Sequence, residues 1–224
     1  KGYAAALQAT IDSDQSRPSS EISAGNPAPW ESNETTHFSI VDRWGNAVSN
    51  TYTINFSYGS GITVAGAGFL LNNEMDDFSA KPGVPNAYGL IGGEANKIEP
   101  GKRMLSSMSP TIVRKDGRNL LVTGSPGGSR IITTTLQVLM NVIDHNMNIQ
   151  SAVSAPRMHH QWLPDEIRME QGFSPDTVEL LRARGHTITT SRAMGAIQSI
   201  LIDDDGTLYG GADPRRSTSS AMGY

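Results

Sequence analysis

A threonine pair stands where a polar segment gives way to alternating, strand-like sequence, in the stretch Glu34–Ile40 (ETTHFSI). If the peptide bond before Thr35 is cut, its hydroxyl lies beside a new free α-amine, whose pKa of about 8 suits a general base near neutral pH. The ordinary role of threonines at such a junction is local, because their hydroxyls hydrogen-bond to nearby backbone and cap turns. Thr35 is therefore a candidate nucleophile only if the chain also supplies the other parts of an acyl-transfer site.

A glycine-rich loop, Gly124–Arg130 (GSPGGSR), follows the predicted strand Asn119–Thr123 and leads into the predicted buried helix Ile131–Ile143. Unpaired backbone N–H groups and the positive end of the helix dipole meet at such a point, which favours an anion or a developing oxyanion. The loop lacks the Gly-Lys-Ser/Thr of a phosphate loop, and Ser125 lacks the Gly-x-Ser-x-Gly frame of a serine hydrolase. A purely structural glycine turn is the alternative interpretation.

Two clusters of ionisable residues also invite a functional interpretation. Glu74, Asp76 and Asp77 place three carboxylates within four residues, but the spacing and central glycine of a calcium loop are absent. A solvated acidic turn or a loose cation site is the alternative. For His159 and His160, packing or hydrogen bonding is favoured over metal binding, because adjacent side chains point in different directions and no His-x-x-x-His spacing is present.

Composition limits the classes of function. The chain has 224 residues, of which 37% are hydrophobic, enough for one large domain or two small ones. A net charge of -4 gives neither the basic field expected for nucleic acid nor a polybasic membrane patch. There is no apolar run of about 18 residues for a membrane span, and there is no cysteine for disulfide or thiolate chemistry. Small molecules and proteins remain as partners.

The predicted elements place strands at both ends of the chain around central helices, which is typical of an α+β layered sheet. A helix is predicted to begin at Ser174-Pro175 and to end at Gly185, and Arg215-Arg216 is predicted to lie at the surface. The predicted strands are residues 37–42 and 47–55 of a hairpin, 111–114, 119–123, 187–190, 196–202 and 208–211.

Three segments are predicted to lie outside this sheet. Lys1–Ile11 has the spacing of the end of an amphipathic helix, and the sequence is expected to start partway through a longer protein. Asp12–Asn33, rich in proline, serine and asparagine, is expected to be an extended, accessible linker. Lys81–Gly93, rich in glycine and proline but carrying Tyr88, is expected to be a mobile flap with an aromatic tip.

Four motifs, taken together and in this order, closely resemble the small subunit of γ-glutamyltranspeptidases. The resemblance runs from Thr35 to Tyr224, and residues 1–34 resemble the C-terminal tail of the family's large subunit, which ends at the autoprocessing bond Glu34–Thr35. The motifs are Thr35-Thr36-His37, residues 72–85 (NNEMDDFSAKPGVP), residues 106–110 (SSMSP) and residues 124–128 (GSPGG).

The resemblance implies the α+β fold of the N-terminal nucleophile hydrolases, a four-layer αββα sandwich of which this chain supplies only part. It implies a division into a tail or processing linker, residues 1–34, and a small catalytic subunit, residues 35–224. Thr35 would be the nucleophile and its freed amine the base. Thr53 would hydrogen-bond the nucleophile, and Asn55, from the same strand face, would help to position it and the substrate.

The resemblance also implies a set of substrate contacts. The oxyanion hole is expected from the two backbone N–H groups of Gly127 and Gly128. Glu74 and Asp77 are expected to bind the α-ammonium of the substrate's γ-glutamyl group, and Ser106 and Ser107 its α-carboxylate. Tyr88 is expected to lie in the lid that closes over the pocket. No metal and no cofactor is implied.

The function implied is γ-glutamyl transfer and hydrolysis through a γ-glutamyl-threonine ester, with glutathione as donor and water, amino acids or peptides as acceptors. The large subunit of the same precursor would be the heterodimer partner and would supply an arginine that binds the α-carboxylate of the substrate. The bacterial type of lid implies the periplasm or secretion. The alternatives are a related acylase acting on glutaryl-type amides and a non-catalytic or unprocessed binding homologue.

Overall fold

The computed structural model describes residues 8, 11–12, 14–18, 35–84 and 91–223. Most of the amphipathic segment 1–11 and most of the linker 12–33 therefore lie outside the described residues. So do the predicted cleavage bond after Glu34 and the flap tip with Tyr88. Within the described part of the chain, no helix has the length and apolar character needed to cross a membrane.

An antiparallel hairpin opens the described region that begins at residue 35, as predicted. Strand β1 (Thr36–Val41) pairs with β2 (Ala47–Tyr52), so that Thr36 lies opposite Tyr52. The Asp42 carboxylate closes the turn by accepting hydrogen bonds from the amides of Trp44 and Asn46, each at 2.9 Å. The second strand is shorter than the predicted 47–55, because it ends at Tyr52.

A four-stranded antiparallel sheet lies beside the hairpin. Hydroxyls of the hairpin bond to backbone carbonyls of this sheet: Ser49 Oγ donates to Thr123 O at 2.8 Å, and Ser39 Oγ donates to Gln198 O at 2.9 Å. The hairpin is thereby fixed across one face. In spatial order the strands are β3 (Thr111–Lys115), β4 (Arg118–Thr123), β8 (Gln198–Ile202) and β9 (Leu208–Ala212).

Two helices cover the other face of the four-stranded sheet. Helix α1 (Arg130–Ile143) confirms the predicted central helix, and α2 (Ile149–Ser154) follows it. Their apolar residues bury the core cluster that holds helices and sheet together, which consists of Leu121, Val138, Ile149, Ala152, Val153 and Ile197. Helices, sheet and hairpin form an α, β, β arrangement, part of the predicted αββα sandwich.

A smaller sheet is formed by β5 (Met158–His159), β6 (Ile167–Met169) and β7 (Ile188–Thr190). β5 and β6 are antiparallel, whereas β6 and β7 are parallel and are joined through α3 (Pro175–Ala183). This helix begins at the predicted Ser174-Pro175 position, where the missing amide N–H of proline costs no hydrogen bond.

The prediction that Arg215 lies at the surface is wrong. Its side chain is only 10% exposed and forms ion pairs with Glu170 and Asp213. Asp213 also binds the buried Arg157 guanidinium at 2.6 Å and accepts the amide N–H of Ile197 at 2.8 Å. The structure buries these charges because two carboxylates and two guanidinium groups compensate one another, which spacing along the sequence does not reveal.

Candidate active site

One small cavity gathers most of the predicted site residues from separate parts of the chain. Its volume is about 20 Å³, close to the space of a single water molecule. It lies where the start of β1, the end of β2, the acidic turn, the serine segment and the glycine loop meet. Its lining includes Thr35, Thr53, Asp77, Ser106, Ser107 and Gly128.

Thr35 is held at this cavity by the strand that it precedes. Because Thr36 pairs with Tyr52, the chain beyond β2 runs alongside Thr35 and brings Thr53 to the same cavity. In addition, Arg216 Nη1 donates a hydrogen bond to the Thr35 carbonyl at 3.3 Å. Thr35 is therefore held both by its strand and by a side chain from the end of the chain.

His37, two residues after Thr35, is a further positioning residue that the sequence analysis did not single out. The imidazole is buried, its Nδ1 lies 2.6 Å from Thr51 Oγ1, and its Nε2 lies 3.1 Å from Ser39 Oγ. Burial lowers the pKa of His37 from 6.5 to about 4, so the ring is neutral near pH 7. The period-two alternation of a strand, which places residues 35 and 37 on one face, is the signal that would have found it.

Thr53 and Asn55 follow β2 rather than lying within it, which corrects the prediction that both project from one strand face. Asn55 has a positive φ of 72° and is fully buried, and its amide donates to Thr53 Oγ1 at 2.9 Å. Its side-chain Nδ2 donates to Asn73 O at 3.2 Å, while Asn73 Oδ1 accepts the amide of Phe56 at 3.1 Å. Asn55 therefore connects the Thr53 turn to the acidic segment and is not among the residues lining the cavity.

The acidic cluster forms one turn of 3₁₀ helix, Glu74–Asp77. Burial raises the pKa of Glu74 from 4.5 to about 8, and the hydrogen bond with Asp77 and the negative charge of Asp77 add to this effect. Burial also raises the pKa of Asp77, and the charge of Asp76 adds to this effect while the hydrogen bond from Glu74 opposes it. The cluster is therefore not a fully solvated acidic turn. It is a partly desolvated pair of carboxyl groups that gains from an incoming cation.

The two serines differ in how they are held. Ser107 Oγ donates to the Gly128 carbonyl at 3.0 Å, which joins the serine segment to the glycine loop. Ser106 is more exposed, and its Oγ accepts the amide of Met108 at 3.3 Å. Both line the cavity, so two hydroxyl groups are available to an anion there.

The glycine loop is buried, and its conformation requires glycine at both predicted oxyanion positions. Gly127 has φ 134° and Gly128 has φ 62°, values that L side chains rarely adopt. A Cβ on Gly127 would lie 3.2 Å from Gly195 Cα. The structure thus favours a close-packed loop before α1, in which Gly128 lines the cavity and Gly127 does not, over a nucleophile at Ser125. That serine is buried, donates to Pro126 O at 2.6 Å and accepts the Ala196 amide at 3.0 Å.

The prediction of a packing or hydrogen-bonding role for the histidine pair is confirmed. His159 is buried, with Nε2 3.2 Å from Ser129 Oγ and Nδ1 2.8 Å from Thr133 Oγ1. The exposed His160 instead faces Asp165, with Nε2 3.2 Å from Oδ1. The His159 ring thereby fixes Ser129, the residue after the glycine pair. Among the residues that the structure describes, no group of three or more His, Asp or Glu side chains is arranged to hold a metal ion.

Similarity to known proteins agrees with the fold. The family model described as Gamma-glutamyltranspeptidase matches residues 1–223. The chain is 59% identical over 224 residues to the glutathione hydrolase proenzyme of Escherichia coli (strain K12), covering all of this chain but 39% of that relative's length.

Two solved structures extend the comparison. A mutant γ-glutamyltranspeptidase of Helicobacter pylori superimposes with a TM-score of 0.78 at 62% identity, over 81% of this chain and 100% of that chain. A cephalosporin acylase of Bacillus halodurans gives a TM-score of 0.82 at 27% identity, over 100% of this chain and 38% of that chain.

The fold and these structural matches define part of an N-terminal nucleophile hydrolase of the α+β class. More particularly, the chain belongs to the γ-glutamyltranspeptidase family. The resemblance inferred from the four sequence motifs is thereby confirmed.

Proposed function

We propose that this chain is the catalytic part of a γ-glutamyltransferase and glutathione hydrolase that acts through Thr35. The single observation that carries the proposal is the cavity shared by Thr35, Thr53, Asp77, Ser107 and Gly128. It combines a nucleophile, a hydroxyl partner, a cation-binding carboxyl group and an oxyanion donor. The coarser statement, membership of a family of glutathione hydrolase proenzymes, rests on the similarity already given.

Activation begins with cleavage of the bond between Glu34 and Thr35. This step divides the chain into a tail, residues 1–34, and a catalytic subunit, residues 35–224, which assembles with the remainder of the precursor as its large subunit. Two comparisons support this division: the relative is a proenzyme, and the solved transpeptidase chain is matched in full by 81% of this chain, close to the share of residues 35–224.

Catalysis then proceeds in two balanced steps. Thr35 Oγ attacks the γ-amide carbonyl, and the freed α-amine takes the hydroxyl proton and passes it to the leaving amine as the C–N bond breaks. The amides of Gly127 and Gly128 stabilise the oxyanion. Water or an acceptor amine then gives a proton to the α-amine as it attacks the ester, the C–O bond to Thr35 breaks, and the α-amine passes that proton to the threonine oxygen.

Substrate selection rests on two pairs of side chains. Glu74 and Asp77 receive the α-ammonium, whose positive charge takes the place of the proton that Glu74 holds. Ser106 and Ser107 bind the α-carboxylate through their hydroxyls, and Tyr88 serves in the lid.

By the same family resemblance we place the protein in the periplasm or outside the cell. Cell fractionation with an antibody to the chain tests this location.

The decisive experiment compares Thr35→Ala with Thr36→Ala in the full-length precursor. Thr36 is the same residue type, is exposed and lies one position further along, so it is a matched control. Thr35→Ala is expected to leave the precursor uncut by intact mass and inactive on γ-glutamyl-p-nitroanilide, while Thr36→Ala matures and turns over. A Thr35→Ala protein that still cleaves after Glu34 would falsify the proposal.

A second candidate is an acylase for glutaryl-type amides, favoured by the superposition on a cephalosporin acylase. A glutaryl group has no α-ammonium, so Glu74 and Asp77 would have no cation to bind. Rates on matched γ-glutamyl and glutaryl anilides separate the two candidates. The transferase proposal requires the γ-glutamyl compound to be preferred, and requires that preference to shrink in Glu74→Gln.

A further inference from the structure

A buried asparagine lies between the two parts of the chain that are proposed to hold the α-amino acid end of the substrate. Asn96 ends a short 3₁₀ turn, Glu94–Asn96, and is 8% exposed. Along the chain it follows the acidic turn, residues 74–77, and precedes the serine segment, residues 106–110. Asn96 is not one of the described residues that line the small cavity at Thr35. Its influence on that cavity must therefore pass through its hydrogen-bond partners.

The side chain of Asn96 joins these two parts directly. Its Nδ2 donates to the carbonyl of Asp77 at 2.7 Å, and its Oδ1 accepts the amide N–H of Leu105 at 3.1 Å. Only this orientation of the side-chain amide satisfies both partners, because a carbonyl accepts and an N–H donates. Asp77 and Leu105 both line the cavity, and Leu105 immediately precedes Ser106. One planar amide group therefore fixes the end of the acidic turn relative to the start of the serine segment.

The main chain of Asn96 is also held beside the acidic turn. Its carbonyl accepts the amide N–H of Ser79 at 2.9 Å, and Ser79 forms an isolated parallel bridge with Lys97. The two side-chain bonds of Asn96 reach residues that lie 19 and nine positions away along the chain. Breaking either bond would leave a polar group unsatisfied in a buried position, so the arrangement resists displacement.

Other hydrogen bonds attach each of the two parts separately to the catalytic region. At the start of the acidic turn, Asn73 O accepts Asn55 Nδ2 at 3.2 Å, which attaches the turn to the chain after β2. In the serine segment, Ser107 Oγ donates to Gly128 O at 3.0 Å. These bonds place each part relative to the nucleophile and the oxyanion loop. The Asn96 side chain, in contrast, places the two parts relative to each other.

We propose that Asn96 is a positioning residue that sets the separation between the carboxyl groups of the acidic turn and the serine hydroxyls. The inference rests on the proposed function. In an α-amino acid the ammonium and the carboxylate are bonded to one carbon atom, so both are bound at once only by partners at a matching separation. A site held at that separation before binding loses less free energy in ordering its groups. Asn96 thereby favours γ-glutamyl donors over amides that carry only one of the two charged groups.

The test uses the mature full-length enzyme and three p-nitroanilides that differ only at the α-carbon. The γ-glutamyl compound carries both charged groups, the 4-aminobutanoyl compound only the ammonium, and the glutaryl compound only the carboxylate. In Asn96→Ala, kcat/KM for the γ-glutamyl compound is expected to fall about tenfold relative to each of the other two, as the loss of two buried hydrogen bonds predicts.

Two further variants sharpen the comparison. Asn96→Asp keeps an acceptor for the Leu105 amide but loses the donor to the Asp77 carbonyl, so a smaller fall in the same ratio is expected. Asn141→Ala is the matched control, because Asn141 Nδ2 also donates to a backbone carbonyl, that of Ala152 at 3.3 Å, but does so between helices α1 and α2. Its ratios are expected to equal those of the parent enzyme.

A merely structural role of Asn96 would lower the rates on all three compounds by one common factor. The ratio of two kcat/KM values does not depend on the fraction of enzyme that folds and matures, so it separates the two roles. Unchanged ratios in Asn96→Ala and Asn96→Asp overturn the inference, as does an equal fall in Asn141→Ala. Where Asn96→Ala yields no mature enzyme, the Asn96→Asp ratio decides by the same criterion.

The parent enzyme tests the proposed function separately. A mature parent that does not prefer the γ-glutamyl compound over the other two contradicts the proposed function, and the inference is overturned with it. A parent that shows this preference, while both Asn96 variants retain it in full, contradicts the inference alone.

Discussion

The backbone of Gly124 lies directly against the imidazole of His37. A Cβ on Gly124 would come within 2.5 Å of Nδ1 and 2.9 Å of Nε2, closer than real side chains approach. His37 belongs to the strand that begins just after Thr35, and Gly124 opens the loop that carries Gly127 and Gly128. This contact therefore packs the strand that follows the candidate nucleophile against the loop that carries the candidate oxyanion hole.

Gly124→Ala is expected to destabilise the full-length protein by about 1–3 kcal/mol, because the added methyl group overpacks a buried ring. The free energy of unfolding from urea titration checks this. Gly93→Ala is the matched control, since no atom lies within 4 Å of the corresponding Cβ position. Equal losses in the two variants would show that the His37 contact is not tight.

Gly128→Ala is expected to lower kcat on γ-glutamyl-p-nitroanilide by about 10²–10³-fold, the usual effect of losing one oxyanion donor. The φ of 62° at Gly128 is unfavourable for alanine, so the loop must shift its amide. Gly45→Ala is the control, because Gly45 also has a positive φ but lies in the hairpin turn with open space around it. A variant that keeps its kcat would exclude the Gly128 amide from catalysis.

Stability is expected to fall as pH rises through the window set by Glu74. Its pKa is 4.5 in the unfolded chain and about 8 in the folded protein, so the folded state retains a proton that the unfolded state releases. The contribution of Glu74 to the free energy of unfolding is therefore fully present below pH 4.5 and is lost as the pH rises to about 8.

Glu74→Gln, which cannot ionise, is expected to flatten this decline. Urea midpoints at about pH 5 and about pH 9 measure it, because linkage makes the slope report the difference in bound protons. Glu179→Gln, on an exposed position of α3, is expected to leave the slope unchanged. Parallel pH profiles for the parent and the Glu74→Gln protein would contradict the prediction.

Asp213→Asn is expected to cost about 3–5 kcal/mol, because it leaves the Arg157 guanidinium buried without its charge partner. The Arg157 and Asp213 side chains are 2% and 0% exposed. Asp204→Asn is the control, since Asp204 pairs with Arg118 at the surface and such pairs contribute about 0–1 kcal/mol. Thermal and urea unfolding check both, and a loss at position 213 no larger than at 204 would contradict the prediction.

Local pattern predicted the hairpin, the central helix and the four-stranded sheet, but it missed α2, β5 and β6. Alternation located β1 and β2, and the glycine loop before an apolar run located α1. The local pattern failed at Asn55, where a positive φ ends the strand early. This conformation is held by hydrogen bonds to Asn73, which a pattern of neighbouring residues does not reveal. It failed again at Arg215, because the carboxylates that allow its burial lie on other elements.

The sequence by itself determined the family, the motifs and the residue types of the candidate site, since these are carried by side-chain identity and short spacing. Only the tertiary structure decided which of them meet. Thr35 and Gly128 are far apart along the chain, and they share a cavity because the hairpin and the four-stranded sheet pack face to face through Ser39 and Ser49. The buried cluster of Arg157, Glu170, Asp213 and Arg215 was likewise invisible in the sequence, because its charges come from separate segments of the chain.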